Sequence, residues 1–314
     1  MNNNLAPIVL FVYNRPWHTE QTLNALMQNK QASESTLYIY CDGVKENATD
    51  EQIQQIIDVR NVIRAKKWCK EVYIIESELN IGLANSIIRG VFEVLSKHAK
   101  VIVLEDDIVT SRYFLKYMND ALNMYENEDD VISISGYIYP IKARLPNTFF
   151  IKGADCWGWA TWKRGWDLFE PNGQKLLLEI EEKNLTHIFD FDDSYSYTKM
   201  LMDQIEGRND SWAVRWYASA FLKNKLTLYP GYSFVSNIGF DGSGIHCVAN
   251  DFHSTELKVN KMALTKNPTV ENIAAKRKII HYFKYKNDNL ISIMYCKVRK
   301  NIMLVLRSIN GKRS

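Results

Sequence analysis

Three consecutive carboxylates, Glu105-Asp106-Asp107, follow directly on the apolar run Val101–Leu104. Adjacent carboxylates repel one another, so the cluster is unfavourable unless a cation or hydrogen-bond donors lie among them. Mg²⁺ and Mn²⁺ prefer oxygen ligands and often take only one or two of them from the protein. The motif is therefore typical of a site for a divalent cation that holds a diphosphate. The alternative is an acidic turn before the helix predicted near Ser111.

The residues before the cluster predict where it lies in the fold. An unbroken branched-aliphatic run such as Val101–Leu104 is typical of a strand covered on both faces, in the middle of a parallel sheet. The carboxylates then lie at the carboxyl end of that strand, which is the edge where open α/β sheets bind ligands. We therefore expect the acidic cluster to mark a binding site.

The first 136 residues alternate between patterns typical of strands and of amphipathic helices. Helices are predicted over Thr19–Asn29 and from about Thr49 onward, among others. Strands are predicted at Ile8–Val12, Leu37–Cys41, Val72–Ile75, Val101–Leu104 and Val131–Ser135. Spacing close to the ~30 residues of a β-α-β unit predicts an α/β fold, in which a parallel sheet has helices on both faces.

Polar residues follow each of the first four predicted strands and are expected to meet at one edge of the sheet. Beside the acidic cluster they include Arg15, Asp42-Gly43 and Glu78–Gly82. Asp42 can accept a hydrogen bond from a base N–H and Arg15 can neutralise a phosphate, although a turn and an exposed arginine also explain the two residues. The sequence contains neither G-x-G-x-x-G after the first strand nor a P-loop motif, which disfavours dinucleotide oxidoreductases and P-loop enzymes.

Composition predicts a globular protein of the cytoplasm. Of the 314 residues, 46% are hydrophobic and 24% are charged, which is ordinary for this class. The five cysteines are odd in number and show no C-x-x-C spacing, which argues against a disulfide framework or a zinc site. We expect neither a signal peptide nor a membrane span, because no window holds 18 uninterrupted apolar residues.

The net charge of +3 is unevenly distributed along the chain. Residues 271–314 contain eleven Lys and Arg residues against two acidic ones, so this segment carries +9 and the remainder −6. The remainder is not basic, and no nucleic-acid partner is expected. Residues 289–310 show an amphipathic helical pattern, typical of a helix that lies on an anionic membrane surface or docks on its own domain.

A dense group of tryptophans, Trp157, Trp159, Trp162 and Trp166, follows in the second half of the chain. Aromatic faces serve as apolar platforms in sugar sites, so we expect Trp157 and Trp159 to border a bound sugar. Large aromatic side chains also fill protein cores, which is the alternative for each member. The neighbouring Asp155 is a further candidate for binding an acceptor.

Together these motifs resemble the N-acetylglucosaminyltransferase I-like enzymes within the GT-A glycosyltransferases, and bacterial sugar transferases similar to family 2. The segments that carry the resemblance are Phe11–Pro16, Cys41–Gly43, Val101–Asp107, Ser111–Tyr117, Asn209–Trp212 and Gly239–His246. The resemblance covers about residues 6–250 and is most specific over 101–117. It implies a GT-A domain over 1–260, with a nucleotide-sugar-binding half (1–136) and an acceptor-binding half (137–260), followed by a basic tail over 261–314.

The resemblance also implies a UDP-sugar donor, Mn²⁺ or Mg²⁺ as the metal, and inversion at the anomeric carbon. It places Asp42 at the uracil and Arg15 beside the base or phosphate. Glu105 and Asp106 would contact the nucleoside or donor sugar, and Asp107 would be the single direct protein ligand of the metal. The chemistry agrees, because a divalent cation stabilises the charge that grows on a departing diphosphate.

Inverting transfer requires a base that removes the proton of the acceptor hydroxyl. Asp210 is the first candidate, because a tryptophan nearby would shield it from water, and Asp203 and Glu206 are further candidates. The alternative for Asp210 is a cap on the following helix. The glycine-rich segment 242–246 is expected to close over the donor, with His246 approaching the metal or serving a structural role.

The sequence thus predicts transfer of a sugar to a glycan or lipid-linked oligosaccharide, in bacterial surface polysaccharide biosynthesis. Two alternatives share the fold: a catalytically inactive protein that binds nucleotides or carbohydrates, and a sugar-phosphate nucleotidyltransferase. The second would normally carry a glycine-rich loop after the first strand, whereas Tyr13-Asn14-Arg15-Pro16 contains no glycine.

Overall fold

The structure, a computed structural model, describes residues 5–241, 257 and 260–285. The strands are β1 (Ile8–Val12), β2 (Thr36–Cys41), β3 (Glu71–Glu76), β4 (Lys100–Glu105), β5 (Ile108–Thr110), β6 (Val131–Ser135), β7 (Thr148–Lys152), β8 (Trp159–Trp162), β9 (Leu226–Pro230) and β10 (Val235–Asn237). The helices are α1 (Pro16–Met27), α2 (Asp50–Arg64), α3 (Leu83–Leu95), α4 (Phe114–Met124), α5 (Lys163–Trp166), α6 (Gly173–Glu182), α7 (Thr186–Phe189), α8 (Tyr197–Ile205) and α9 (Trp212–Leu222). A further helix covers residues 273–285.

The described strands form one large sheet and one small ribbon. Eight of them pair in the order β3-β2-β1-β4-β8-β6-β9-β7, and β5 pairs antiparallel with β10. The strands β3, β2, β1 and β4 are parallel to their neighbours in this series. Strand β8 is antiparallel to both β4 and β6, and β7 is antiparallel to β9. The predicted α/β architecture, a mostly parallel central sheet flanked by helices, is confirmed.

Local signals explain where the first two helices begin. Pro16 is the first residue of α1, three residues before the predicted start, because its fixed φ suits the first helical position. Thr49 caps α2 through a capping box with Gln52. The sequence did not predict β8, which separates β4 from β6 and interrupts the expected parallel series.

Both faces of the central strands are buried. In β1, Ile8 and Leu10 pack against α1 and α2, whereas Val9 and Phe11 pack beneath α3. Strand β4 alternates in the same way between the two cores. Burial of a large aliphatic side chain stabilises the fold by roughly 1.5–3 kcal/mol. A one-residue slip would exchange the two faces of each strand, so this packing also determines where their carboxyl ends lie.

A third hydrophobic core lies in the second half of the chain and includes residues of α6, α8 and α9. Ala275, Ile279 and Phe283 of the helix over 273–285 are buried in it, so this part of the basic tail packs on its own domain. The segment 289–310, predicted as a basic amphipathic helix, lies outside the described residues. Within the described ranges, no helix combines the length and hydropathy needed to cross a membrane.

Candidate functional site

A cavity of about 280 Å³ lies where the order of the parallel strands reverses, between β1 and β4. Crevices of this kind, outside the carboxyl ends of the strands, are the usual ligand sites of open α/β sheets. Residues that follow each of the first four strands of the parallel series line it, including Arg15, Asp42, Asn80 and the acidic cluster Glu105–Asp107. The sequence-predicted loops therefore meet at one place.

Arg15 pairs with two of the three acidic residues. Its Nη2 forms a close ion pair with Asp106 and lies 3.0 Å from Asp107 Oδ2, and its Nε donates to Asp106 Oδ2 at 3.2 Å. Burial raises the pKa of Glu105 to about 8, and the charges of Asp107 and Asp106 add to this effect. Burial also raises the pKa of Asp106 to about 6, although Arg15 acts in the opposite direction. One arginine compensates only part of the negative charge, so the site favours a further cation.

The side chains near Asp107 can supply only part of the coordination shell of a metal ion. Among the residues that the structure describes, no group of three or more His, Cys, Asp or Glu side chains could hold a metal ion. Asp107 Oδ2 lies close to the backbone of Gly239, where an added Cβ would come within 2.3 Å of it. A metal at Asp107 would therefore need ligands from a bound diphosphate and water, which fits Mg²⁺ or Mn²⁺. His246, predicted to approach the metal, lies outside the described residues.

Asp42 joins the loops that follow β2 and β3. Its Oδ1 accepts hydrogen bonds from the backbone N–H groups of Gly43 and Ile81, at 2.9 and 3.0 Å, and its Oδ2 accepts one from Gly82 at 2.9 Å. A carboxylate has about four acceptor positions, so Asp42 keeps capacity for one more donor at the cavity. Asp42 thus stabilises a turn, which was one of the two roles considered from the sequence. Its side chain also lies in a position suited to accept a hydrogen bond from a base N–H.

Gly43→Ala is expected to destabilise the protein, because an added Cβ would lie 2.4 Å from the carbonyl carbon of Leu79. That atom belongs to the backbone, so relief requires movement of the loop after β3 and loss of its hydrogen bonds to Asp42. Overpacking of this kind costs roughly 1–3 kcal/mol of unfolding free energy, measurable by urea denaturation. Exposed Glu46 in the same loop provides the control, and Glu46→Ala should change stability by less than about 0.5 kcal/mol. Equal stability of the two variants would contradict the close approach.

The structure separates the two tryptophans that were expected beside a sugar. Trp157 lines the cavity and packs edge-on against Tyr137, with ring centroids 4.6 Å apart. Trp159 is fully buried on β8 and packs against Trp212 and Trp216. The expectation for Trp159 is therefore corrected: Trp159 is part of β8 inside the sheet and its side chain packs in the core beneath α9, whereas Trp157 precedes the strand.

Asp210 lies at the rim of the cavity. A Cβ on Gly82, which lines the cavity, would be 3.7 Å from Asp210 Oδ2, and Arg215 Nη2 lies 3.7 Å from its Oδ1. The helix cap belongs to Ser211, whose side chain accepts a hydrogen bond from Val214 N. The Asp210 side chain is 61% exposed, so the shielding by tryptophan that the sequence suggested is absent.

The other two candidate bases form surface ion pairs. Asp203 pairs with Lys199 and Arg208, and Glu206 also pairs with Arg208. Neither residue lines the cavity. Their charges are explained by salt bridges at the end of α8, and Asp210 lies nearest to the cavity of the three.

Some polar residues of the cavity were not singled out from the sequence, among them Lys45 and Asn237. Lys45 lies three residues after Asp42, and its Nζ is 6.0 Å from the centroid of the Tyr13 ring. The sequence signal that could have identified Lys45 is its position in a loop at the carboxyl edge of the sheet. Asn237 ends β10, far along the chain, and also lines the cavity. No local pattern marks this residue, because β10 reaches the site by pairing with β5.

No protein-family model matches the chain, and no curated protein matches it. Among solved structures it is similar to S. aureus TarS, at 16% identity and a TM-score of 0.29, over 48% of this chain and 24% of TarS. It is also similar to UDP-glucose pyrophosphorylase complexed with UDP-glucose, at 11% identity and a TM-score of 0.38, over 72% of this chain and 90% of that protein. The chain thus spans about a quarter of the length of TarS, and both similarities are too distant to indicate a function.

Proposed function

We propose that the protein is a metal-dependent inverting glycosyltransferase of the GT-A class that takes its sugar from a UDP-sugar bound in the cavity. The supporting observation is the meeting of Arg15 with Glu105, Asp106 and Asp107 at the switch point of the parallel strands. A nucleoside diphosphate fits such a site, because its charges need both the arginine and a cation beside the carboxylates. The motif resemblance to GT-A enzymes supports the same proposal.

Asp107 would hold Mn²⁺ or Mg²⁺, with the remaining ligands supplied by diphosphate oxygens and water. The metal, when bound, stabilises the negative charge that develops on the departing nucleoside diphosphate. Arg15 contributes a second positive charge, and its planar guanidinium is suited to bind phosphate oxygens in pairs. Asp42 would accept a hydrogen bond from the uracil, while it holds the loop containing Gly82 in place.

Asp210 remains our candidate for the base that accepts the proton of the acceptor hydroxyl. It lies at the cavity rim beside Gly82, and its side chain is accessible to an acceptor that approaches from solvent. We further propose that the acceptor is a glycan or lipid-linked oligosaccharide of a bacterial surface polysaccharide, and that the basic segment 289–310 contacts the inner face of the membrane.

Thermal unfolding in the presence of a panel of nucleotide sugars, with and without Mn²⁺, tests the proposal. We expect UDP-sugars and Mn²⁺ together to raise Tm by more than the sum of their separate effects, because the protein supplies few metal ligands of its own. Equal responses with and without Mn²⁺ would contradict the metal role.

Product analysis separates the alternatives. A transferase should release UDP from its donor in a Mn²⁺-dependent reaction, and this release should increase with acceptor. A nucleotidyltransferase should instead form pyrophosphate from UTP and a sugar 1-phosphate. Nucleotide binding without either reaction, across donors and acceptors, would indicate a binding protein.

A further inference from the structure

Asp155 is a carboxylate between β7 and β8 that does not line the nucleotide cavity. Its Oδ1 accepts a hydrogen bond from the backbone N–H of Cys156 at 2.7 Å, and its Oδ2 accepts one from the Tyr229 hydroxyl at 3.3 Å. The side chain is partly exposed. These bonds fix the orientation of the carboxylate and leave it capacity for a ligand, since a carboxylate has about four acceptor positions.

Tyr229, which donates a hydrogen bond to Asp155, belongs to a group of five tyrosines, and we refer to this group with Asp155 as the tyrosine recess. They are Tyr137, Tyr139, Tyr195, Tyr197 and Tyr229. Burial raises the pKa of each of their hydroxyls, and the charge of Asp155 raises it further. Tyr139, Tyr195 and Tyr197 pack against the same hydrophobic core as Tyr229, and Tyr137 packs against Tyr139 with ring centroids 5.4 Å apart. Tyr139, Tyr195 and Tyr197 are partly exposed, so solvent reaches the recess.

The recess lies at the same edge of the sheet as the nucleotide cavity. Strands β6 and β9 are parallel to each other and to β4, since β8 is antiparallel to both β4 and β6. Tyr137 follows β6, and Tyr229 lies near the carboxyl end of β9. Three strand spacings of about 4.8 Å separate β4 from β9, which is the scale of one or two sugar rings.

Trp157 connects the recess with the cavity. Trp157 follows Asp155 by two residues in the chain. It lines the cavity and also packs against Tyr137. Trp157 therefore belongs both to the lining of the cavity and to the surroundings of the recess.

The chemistry of the recess matches a neutral carbohydrate. Aromatic faces pack against the apolar C–H faces of sugar rings, and phenol hydroxyls both donate and accept hydrogen bonds. A carboxylate forms strong hydrogen bonds with sugar hydroxyl groups. Among the described residues, no arginine or lysine forms a hydrogen bond with Asp155. Its negative charge would therefore repel a second ligand that carries a phosphate.

We propose that the tyrosine recess binds the acceptor sugar, with Asp155 accepting hydrogen bonds from its hydroxyl groups. The proposal rests on the proposed function, because it assigns the second substrate of the same transfer. An acceptor held here would lie beside Trp157 and next to the donor, with its reactive hydroxyl directed toward the cavity.

Ligand-observed saturation-transfer NMR tests the recess directly. The probes are methyl glycosides of the common hexoses and N-acetylhexosamines at millimolar concentration. We expect at least one glycoside to bind the wild type, and Asp155→Asn to weaken this binding roughly tenfold or more through loss of a charged hydrogen-bond acceptor. Asn keeps an oxygen for the N–H of Cys156, so the fold should be preserved. Tyr195→Ala should also weaken binding, whereas Tyr73→Ala, on the far edge strand β3, should not.

Two measurements distinguish a failure of the recess proposal from a failure of the transferase proposal. Stabilisation by UDP and Mn²⁺ should be unchanged in Asp155→Asn. If the wild type responds to UDP and Mn²⁺ but binds no glycoside, or if Asp155→Asn binds glycosides as the wild type does, the recess proposal is overturned. The opposite result is glycoside binding that depends on Asp155 in a protein that does not respond to nucleotides. That result would support a carbohydrate site at the recess and contradict the transferase proposal.

Discussion

Asp107→Asn is expected to abolish Mn²⁺-dependent turnover and to remove the Mn²⁺-dependent part of UDP binding. Asn retains the shape of the side chain but lacks the charge that would hold the cation next to the diphosphate. Loss of stabilisation at the departing diphosphate should lower kcat by at least about 10³-fold. UDP release assays and Mn²⁺ titrations followed by thermal unfolding measure the two effects.

The fold should tolerate this substitution, because Arg15 would keep its ion pair with Asp106. Asp120→Asn is the matched control, since Asp120 pairs with Lys116 at 2.8 Å on α4, outside the residues that line the cavity. Its activity and metal response should equal those of the wild type. Activity in Asp107→Asn close to that of the wild type would exclude Asp107 as the metal ligand.

Arg15→Gln is expected to destabilise the metal-free protein and to increase its response to Mn²⁺. The substitution leaves Asp106, which is 5% exposed, and Asp107 without their positive partner. Breaking a buried ion pair costs roughly 3–5 kcal/mol, and we expect about 2–3 kcal/mol here because the Arg15 side chain is 19% exposed. Mn²⁺ would replace the missing charge, so it should raise Tm more in the variant than in the wild type.

UDP should bind the Arg15→Gln variant at least about tenfold more weakly, because a charged hydrogen bond to phosphate is lost. Arg60→Gln provides the comparison, since Arg60 forms an ion pair with Glu76 at 3.3 Å, away from the acidic cluster. That variant should lose less than about 1 kcal/mol, because both side chains of the pair are about 30% exposed and solvent screens their charges, and it should respond to Mn²⁺ like the wild type. An equal response to Mn²⁺ in both variants would contradict cation binding at the carboxylates that Arg15 contacts.

The first half of the fold was predictable because its signals are local. The apolar run Val101–Leu104 required burial on both faces, and the alternation with amphipathic helices required a parallel sheet. In such a sheet the carboxyl ends of the strands meet at one edge. The convergence of Arg15, Asp42 and the acidic cluster on one cavity follows from this geometry.

The second half was less predictable because its contacts depend on strand pairing across long separations. Nothing in the sequence of β8 shows that it enters the sheet between β4 and β6, yet this pairing directs Trp159 into the core and leaves Trp157 beside the cavity. The same applies to Asn237, which reaches the cavity through the pairing of β10 with β5.

By itself, the sequence determined the α/β class, the strands of the parallel series and the placement of three carboxylates at the end of β4. Hydrophobic periodicity encodes these features, since it specifies which faces of each element are buried. Only the tertiary structure decided that Arg15 pairs with Asp106 and Asp107, and that the Tyr229 hydroxyl donates a hydrogen bond to Asp155. Those contacts join residues far apart in the chain, and their geometry arises only when the whole sheet has formed.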